Sequence, residues 1–305
     1  MPEEERWLTR AGFHWFENAP LYTRMSARQI ALITTAWLDR FEPFWAAPMS
    51  FSPSTPALLR DDQVQAAMDL LDRWADGVTG PHDWGEVVKS VRAAAHLARM
   101  RYEDFAEFNE VVLPWRAEGT TSAAEAVEFV CELLAVCGTP ERKLADALAA
   151  FGTRSAPSVP AFVTTYERRS PFISSPQQRA LDQLVSVLRG LSQVAADAAG
   201  WRSEDQNHAY DAECQAESHA KLALMHEVFG NPFRPVGFAP EWRISTAIAL
   251  AREMYDTRDF SAMPILADAL QDAGCDNADI LAHCRDPHQV HVRGCWVIDL
   301  VLGYE

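Results

Sequence analysis

The chain has 305 residues, 48% of them hydrophobic, and its 27 basic and 43 acidic residues give a formal charge of -16. A charge of that sign repels nucleic-acid phosphates and anionic lipid headgroups, which argues against nucleic acid or a membrane as a partner. The N-terminal residues lack the pattern of a secretory signal, and no run of about 18 uncharged apolar residues is present. We therefore expect a cytoplasmic protein.

The cysteines are spread along apolar segments rather than gathered in a short, loop-rich framework. This pattern is typical of reduced, buried thiols and not of disulfides. The six positions are Cys131, Cys137, Cys214, Cys275, Cys284 and Cys295.

Apolar residues recur at intervals of three and four almost throughout the chain, which is the period of helices and not of strands. The first predicted helix runs from Ala27 to Phe44, with Ser26 as its N-cap. Its inward stripe comprises Ile30, Leu32, Ile33, Trp37 and Phe41. The second predicted helix begins after Asp62 and ends at Gly77, and its stripe comprises Val64, Ala67, Met68, Leu71 and Trp74. Another helix is expected over residues 84–102.

A predicted αα-hairpin follows, with helices over residues 122–136 and 142–151; Gly138 ends the first and Pro140 can open the second. Prolines and serines then interrupt the helical period over residues 156–176, which we interpret as a surface crossing or linker. It separates an N-terminal helical region, residues 1–155, from a C-terminal one, residues 177–305, with long helices over 177–199 and 205–229. The predicted fold class is all-α: a multi-helical array of αα-hairpins, with two subdomains as one arrangement.

Strong turn and capping residues divide the C-terminal block, residues 229–303. Pro264 can sit in the first turn of one helix, Gly274 can end it, and Asp276 or Asn277 can cap the next, predicted over residues 278–284. A last helix is predicted to begin at Asp286 and end at Gly303. A strand over residues 292–302 is the alternative, since short apolar runs fit both.

This block contains Gly230-Asn-Pro-Phe-Arg-Pro-Val236, Leu266-Ala-Asp-Ala-Leu270, Gly274-Cys-Asp-Asn-Ala-Asp-Ile-Leu-Ala-His-Cys-Arg285 and His291-Val-Arg-Gly-Cys-Trp-Val-Ile-Asp-Leu-Val-Leu-Gly303. In these words it resembles a family of bacterial proteins abundant in planctomycetes, with the close match covering Phe229 to Gly303. The family carries no assigned activity, so the resemblance implies a lineage and not a reaction.

The same block concentrates the ligand types that zinc selects. Within 21 residues lie Cys275, His283, Cys284, His288, His291 and Cys295. The Cys-x(2–4)-Cys spacing of closed zinc sites is missing, because eight residues separate Cys275 from Cys284. If the last helix begins at Asp286, its face carries His288, His291, Cys295 and Asp299, and a three-ligand site is conceivable.

Two other interpretations of these residues stay open. The cysteines can be small core residues and the histidines can satisfy backbone carbonyls or lie in solvent. Alternatively, Cys295 can be a nucleophile with His291 as its base and Asp299 as the orienting group. Charged residues of the block are expected to form structural ion pairs, because isolated buried charges cost several kcal/mol. The candidates are Arg234, Asp268, Arg293 and Asp299.

Functionally, the sequence contains no glycine-rich phosphate loop, no Gly-x-Ser-x-Gly elbow and no His-Glu-x-x-His motif. The first hypothesis is therefore a protein-interaction or regulatory helical module that binds another protein and needs no cofactor. The alternative is an enzyme of unknown reaction that depends on a metal, zinc being the ion favoured, through the C-terminal Cys/His cluster.

Overall fold

The fold was analysed in a computed structural model, which describes residue 4 and residues 25–40, 61–78, 84–93, 96, 114–153, 180, 184 and 206–304. These residues form helices and connecting turns, with no strand among them, so the predicted all-α class is confirmed. The helices are α1 (Ala27–Arg40), α2 (Asp61–Ala75), α3 (Pro114–Cys137), α4 (Leu144–Gly152), α5 (Gln206–Phe229), α6 (Ser245–Thr257), α7 (Met263–Asp272), α8 (Ala278–Arg285) and α9 (Trp296–Leu302). Among the described residues, none of the helices combines the length and the apolar composition that a membrane span requires.

The chain divides into two compact units, one of residues 12–218 and one of residues 1–11 with 219–305, so the division falls within α5. The predicted crossing at residues 156–176 lies outside the described residues, as do the end of the first predicted helix beyond Arg40 and most of residues 177–199.

In the unit of residues 12–218, α1 packs against α2, α3 and α4. The predicted stripes of α1 and α2 are buried over all their described residues, so these predictions are confirmed: Ile30, Leu32, Ile33, Trp37, Val64, Ala67, Met68, Leu71 and Trp74. Thr34 and Thr35 are also buried, and Thr35 donates to Asp72. The buried surface of α1 therefore contains both apolar side chains and hydrogen-bonded threonines.

The N-terminus of α1 is capped twice. The Ser26 hydroxyl accepts the Gln29 amide, and the Gln29 side chain accepts the Ser26 amide in return, which forms a capping box and confirms the predicted cap. The next amides, of Ala27 and Arg28, donate to the carbonyls of Arg142 and Pro140. All four amides of this first turn therefore have partners.

The segment that links α3 to α4 is shaped by its hydrogen bonds to the start of α1. Gly138 follows the end of α3 as predicted, and α4 begins at Leu144, two residues after its predicted start at Arg142, so Pro140 does not open it. The backbone of this link pairs with α1, and Ser26 and Lys143 form an isolated antiparallel bridge. Pairing of that kind needs an extended backbone, which delays the start of the helix.

The unit that contains residues 219–305 has its own core, formed where α6 packs against α7 and α9 and where α7 packs against α8. The buried members include Ala247, Met254, Tyr255, Leu266, Leu270, Ile280, Val297 and Val301. The predicted αα-hairpin is present: Asn277 caps α8 by accepting the Asp279 and Ile280 amides.

The last helix differs from its prediction. Residues 286–295 are not helical, α9 begins at Trp296, and no strand forms over residues 292–302. Gly294 has a φ of +93°, which an α-helix cannot accommodate. In this loop the His288 amide donates to the Asp286 carboxylate, and the Val292 amide donates to the Glu227 carboxylate of α5. At these two amides, side-chain oxygens take the place of helical carbonyls as acceptors.

Candidate metal site

Four potential metal ligands meet between α5, α8 and the start of α9. Glu227 lies in the last turn of α5, His283 in the last turns of α8, His291 in the loop of residues 286–295, and Cys295 at the N-cap of α9. One ligand atom from each residue lies within 4.8 Å of all the others. We call this group the EHHC cluster.

The Glu227 carboxylate is the centre of the cluster's hydrogen bonds. Its Oε1 lies 3.1 Å from His291 Nδ1 and 3.4 Å from the Val292 amide nitrogen. Its Oε2 lies 3.2 Å from His283 Nε2 and 3.1 Å from Gln289 Nε2. Each carboxylate oxygen thus has two nitrogen neighbours, and such contacts stabilise a buried carboxylate.

The ring of His283 is held from both sides. Its Nε2 faces Glu227 and also lies 3.3 Å from Cys295 Sγ. Its Nδ1 accepts a hydrogen bond from the indole Nε1 of Trp296 at 3.3 Å. The Trp296 ring in turn covers Gly230, where a Cβ atom would lie 3.1 Å from the indole.

Three of the separations in the cluster are close to those around a small tetrahedral ion. Bonds of about 2.0–2.3 Å to zinc place neighbouring ligand atoms roughly 3.3–3.6 Å apart in a tetrahedron. The observed values are 3.2 Å for Glu227 Oε2 to His283 Nε2 and 3.3 Å for His283 Nε2 to Cys295 Sγ. The distance from His291 Nδ1 to Glu227 Oε1 is 3.1 Å. These contacts involve both oxygens of Glu227, and the four ligand atoms together lie within 4.8 Å of one another. Binding of one ion would therefore require the more distant ligand atoms to approach by up to about 1 Å.

Water has little access to the cluster. The side chains of Glu227, His291 and His283 are 0%, 8% and 11% exposed, and Cys295 is 0% exposed. Burial raises the pKa of the Cys295 thiol well above its usual value, and the Glu227 carboxylate adds to that effect. Burial also acts to raise the pKa of Glu227, but the hydrogen bonds from His283 and His291 lower it overall.

Such a thiol is a poor nucleophile. A reactive cysteine needs an exposed thiolate in an electropositive pocket, whereas Cys295 is buried beside a carboxylate. The imidazole nitrogen 3.3 Å from its Sγ belongs to His283 and not to His291, and Asp299 is not a member of the cluster. The geometry therefore favours coordination over nucleophilic catalysis at Cys295.

Three of the six sequence candidates come together and three do not. His283, His291 and Cys295 belong to the EHHC cluster, whereas Cys275, Cys284 and His288 lie outside it. The two cysteines are buried in the hydrophobic core of the unit, and burial raises the pKa of the Cys284 thiol to about 12. His288 is exposed in the loop. The proposed helical face that united His288 with Asp299 was wrong, because residues 286–295 are not helical.

Of the candidates for ion pairs, Arg234 and Asp268 each lie beside a residue of opposite charge. Arg234 Nε lies 2.5 Å from the Glu4 carboxylate, and Asp268 accepts from Arg285 at 2.7 Å. The guanidinium of Arg293 stacks 4.4 Å from the centre of the Tyr255 ring. Asp299 is buried.

Sequence reasoning missed Glu227. The residue is one of many acidic side chains in the chain. It also lies far along the sequence from the C-terminal cysteines and histidines, so spacing gave no reason to group it with them. The available signal was its setting, between Met225 and Val228 in a helix turn that comes directly before Gly230. Both apolar neighbours are buried, and a carboxylate between them must have partners.

No protein-family model, curated protein or solved structure matches the chain. The resemblance of residues 229–303 to a bacterial family stays a prediction.

Proposed function

We propose that the protein binds one zinc ion through the EHHC cluster, and that this ion stabilises the fold of the unit of residues 1–11 and 219–305, called the C-terminal unit below. The observation that carries the proposal is the approach of an imidazole nitrogen to both a thiol sulfur and a carboxylate oxygen. His283 Nε2 lies 3.3 Å from Cys295 Sγ and 3.2 Å from Glu227 Oε2. One ring proton cannot serve both neighbours fully, whereas one cation can attract all three atoms.

The donor set supports zinc over hard cations. It offers one sulfur, two imidazole nitrogens and one carboxylate oxygen, which suits a borderline-soft ion of tetrahedral preference. Magnesium and calcium take oxygen ligands almost throughout, at higher coordination numbers. Neither would gain from the thiol or from the two imidazoles.

Burial and ligand number support a structural role for the ion rather than a catalytic one. Catalytic zinc generally has three protein ligands and an open position for water or substrate. Here four side chains are available and none is more than 11% exposed. The sequence alternative of a metal-dependent enzyme therefore has less support than a closed site that ties the end of α5 to α8 and α9.

The test uses the full-length chain and paired variants. Purified protein is loaded with Zn²⁺, dialysed against a weak chelator and analysed for metal content. Cys295→Ser is compared with Cys284→Ser, a buried thiol of the same unit that lies outside the cluster. His291→Ala is compared with His288→Ala, which replaces an exposed histidine of the same loop.

We expect about one zinc ion per chain in the wild type and in both controls, and loss of zinc from Cys295→Ser and His291→Ala. Cobalt substitution gives a second readout, because a thiolate ligand adds a charge-transfer band that Cys284→Ser retains. Zinc retention by both cluster variants, or loss of zinc from His288→Ala, would move the site elsewhere.

The first sequence hypothesis, a module that binds another protein, stays a prediction. It is compatible with a zinc-stabilised unit, since structural zinc commonly supports binding domains. Nothing among the described residues identifies a partner.

A further inference from the structure

A second feature of the cluster concerns the proton on the His283 ring. The indole Nε1–H of tryptophan can only donate a hydrogen bond. Its acceptor here is His283 Nδ1, at 3.3 Å. That nitrogen must therefore present a lone pair, which leaves the proton of a neutral ring on Nε2. The geometry of Nε2, 3.2 Å from Glu227 Oε2, agrees with donation from that atom.

The metal-bound ring needs the opposite arrangement. Nε2 is the atom that faces Glu227 and Cys295, so it must offer its lone pair to the ion. The ring proton then resides on Nδ1, as is usual for a ligating histidine, whose second nitrogen donates to an acceptor. At Nδ1 the proton would meet the Trp296 N–H, another donor.

We propose that Trp296 controls the metal affinity of the EHHC cluster by holding His283 in the tautomer that cannot bind the ion. This inference rests on the proposed zinc site. On zinc capture the His283 ring loses its proton at Nε2 and takes one up at Nδ1. The Cys295 thiol releases a proton to solvent as the Zn–S bond forms, so the net change is one proton released. Trp296 loses its acceptor in the same step.

The contacts of the Trp296 ring restrict its rotation away from His283 Nδ1. Its indole lies directly on Gly230, with ring carbons 3.1–3.2 Å from the position that a Cβ would occupy. Its ring centre is 5.1 Å from that of His283. Gly230 directly follows α5, three residues after Glu227, so the contact that orients the indole and the carboxylate that binds the ion share one helix end.

Trp296 acts as a positioning residue. Its replacement is therefore predicted to strengthen zinc binding, whereas replacement of a residue that supports a site normally weakens it. Trp296→Phe keeps an aromatic ring over Gly230 and removes the opposing donor. Zinc affinity should rise roughly tenfold, equivalent to about 1.4 kcal/mol, which is the scale of one unmade hydrogen bond. A tryptophan that only packs would give unchanged or weaker binding when it is replaced.

The experiment measures the zinc Kd of the full-length chain by competition with a chromophoric chelator, with Zn²⁺ as the only added ligand. Wild type, Trp296→Phe and Trp242→Phe are compared; Trp242 packs on the same core and forms an edge contact with Phe238. In parallel, ¹⁵N chemical shifts of the His283 ring in the metal-free wild type report its tautomer without any substitution.

We expect the Nε2–H tautomer in the metal-free wild type, a switch to Nδ1–H with zinc, tighter binding by Trp296→Phe and no gain in Trp242→Phe. Equal affinity of Trp296→Phe and wild type, or an Nδ1–H ring before zinc is added, would overturn this inference and leave the zinc site standing. Failure of both the wild type and Trp296→Phe to bind zinc would overturn the zinc site and this inference together. Binding by Trp296→Phe alone would support the inference.

Discussion

The Sγ atom of Cys295 lies 3.3 Å from Nε2 of His283, although the two residues belong to different helix ends. The contact is possible because α8 and α9 pack on one core and because Gly294, at a φ of +93°, turns the chain directly before Cys295. Three of the four members of the EHHC cluster thus come from 13 residues, 283 to 295, and Glu227 comes from α5.

Metal removal should destabilise the C-terminal unit. A ligand that binds only the folded chain stabilises it by about 4 kcal/mol when its free concentration is a thousand times its Kd. We expect zinc to raise the denaturant midpoint of the wild type, measured by tryptophan fluorescence, and a strong chelator to reverse the change. His291→Ala should show no such rise. An equal rise in that variant would mean that zinc binds elsewhere.

Thiol accessibility gives a prediction that does not depend on metal. Five of the six cysteines are buried, and Cys214 is the exception. Burial raises the pKa of the Cys137 and Cys284 thiols to about 12, which suppresses their reactive thiolates. In the native protein a thiol reagent should therefore modify Cys214 rapidly and the others slowly, and all six should react in denaturant. Peptide mapping would identify the sites.

Gly230 should resist substitution. Its φ of +59° is left-handed, and an added Cβ would lie 3.1 Å from the Trp296 ring. Gly230→Ala should cost about 1–3 kcal/mol of unfolding free energy, the range for non-glycine residues held in this region. Gly237→Ala is the matched control, because no atom lies within 4 Å of its added Cβ. Similar losses in the two variants would remove the special role of Gly230.

Stability of the metal-free chain should depend on pH through Glu227. Its pKa is lowered in the folded chain, so the ionised carboxylate stabilises the fold above its ordinary pKa. That contribution is lost as the pH falls through the folded value. Glu227→Gln should therefore lower the unfolding free energy at neutral pH and flatten its fall in acid. Glu241→Gln, an exposed change in the same unit, should leave the profile unaltered.

Local patterns predicted much of this fold. The stripes of α1 and α2, the Ser26 cap and the Asn277 cap follow from helix period and from side chains that satisfy nearby amides. These features depend on residues at most four positions apart. Periodicity could therefore identify the helices without knowledge of their packing.

The start of α9 and the membership of the cluster depended on distant contacts. The sequence of residues 286–295 is compatible with a helix, but the Val292 amide donates to Glu227, and Gly294 has a positive φ. The residues that meet at a site are decided by how α5 packs against the last helices. For this reason sequence spacing found His283, His291 and Cys295 but also included Cys275, Cys284 and His288.

X-ray absorption at the zinc edge of the zinc-loaded, full-length chain tests the central claim most directly. The account predicts one sulfur neighbour at about 2.3 Å and three nitrogen or oxygen neighbours at about 2.0–2.2 Å. The sulfur contribution should vanish in Cys295→Ser and persist in Cys284→Ser. A first shell of oxygen and nitrogen alone in the wild type, or a sulfur neighbour that survives Cys295→Ser, would contradict the EHHC site.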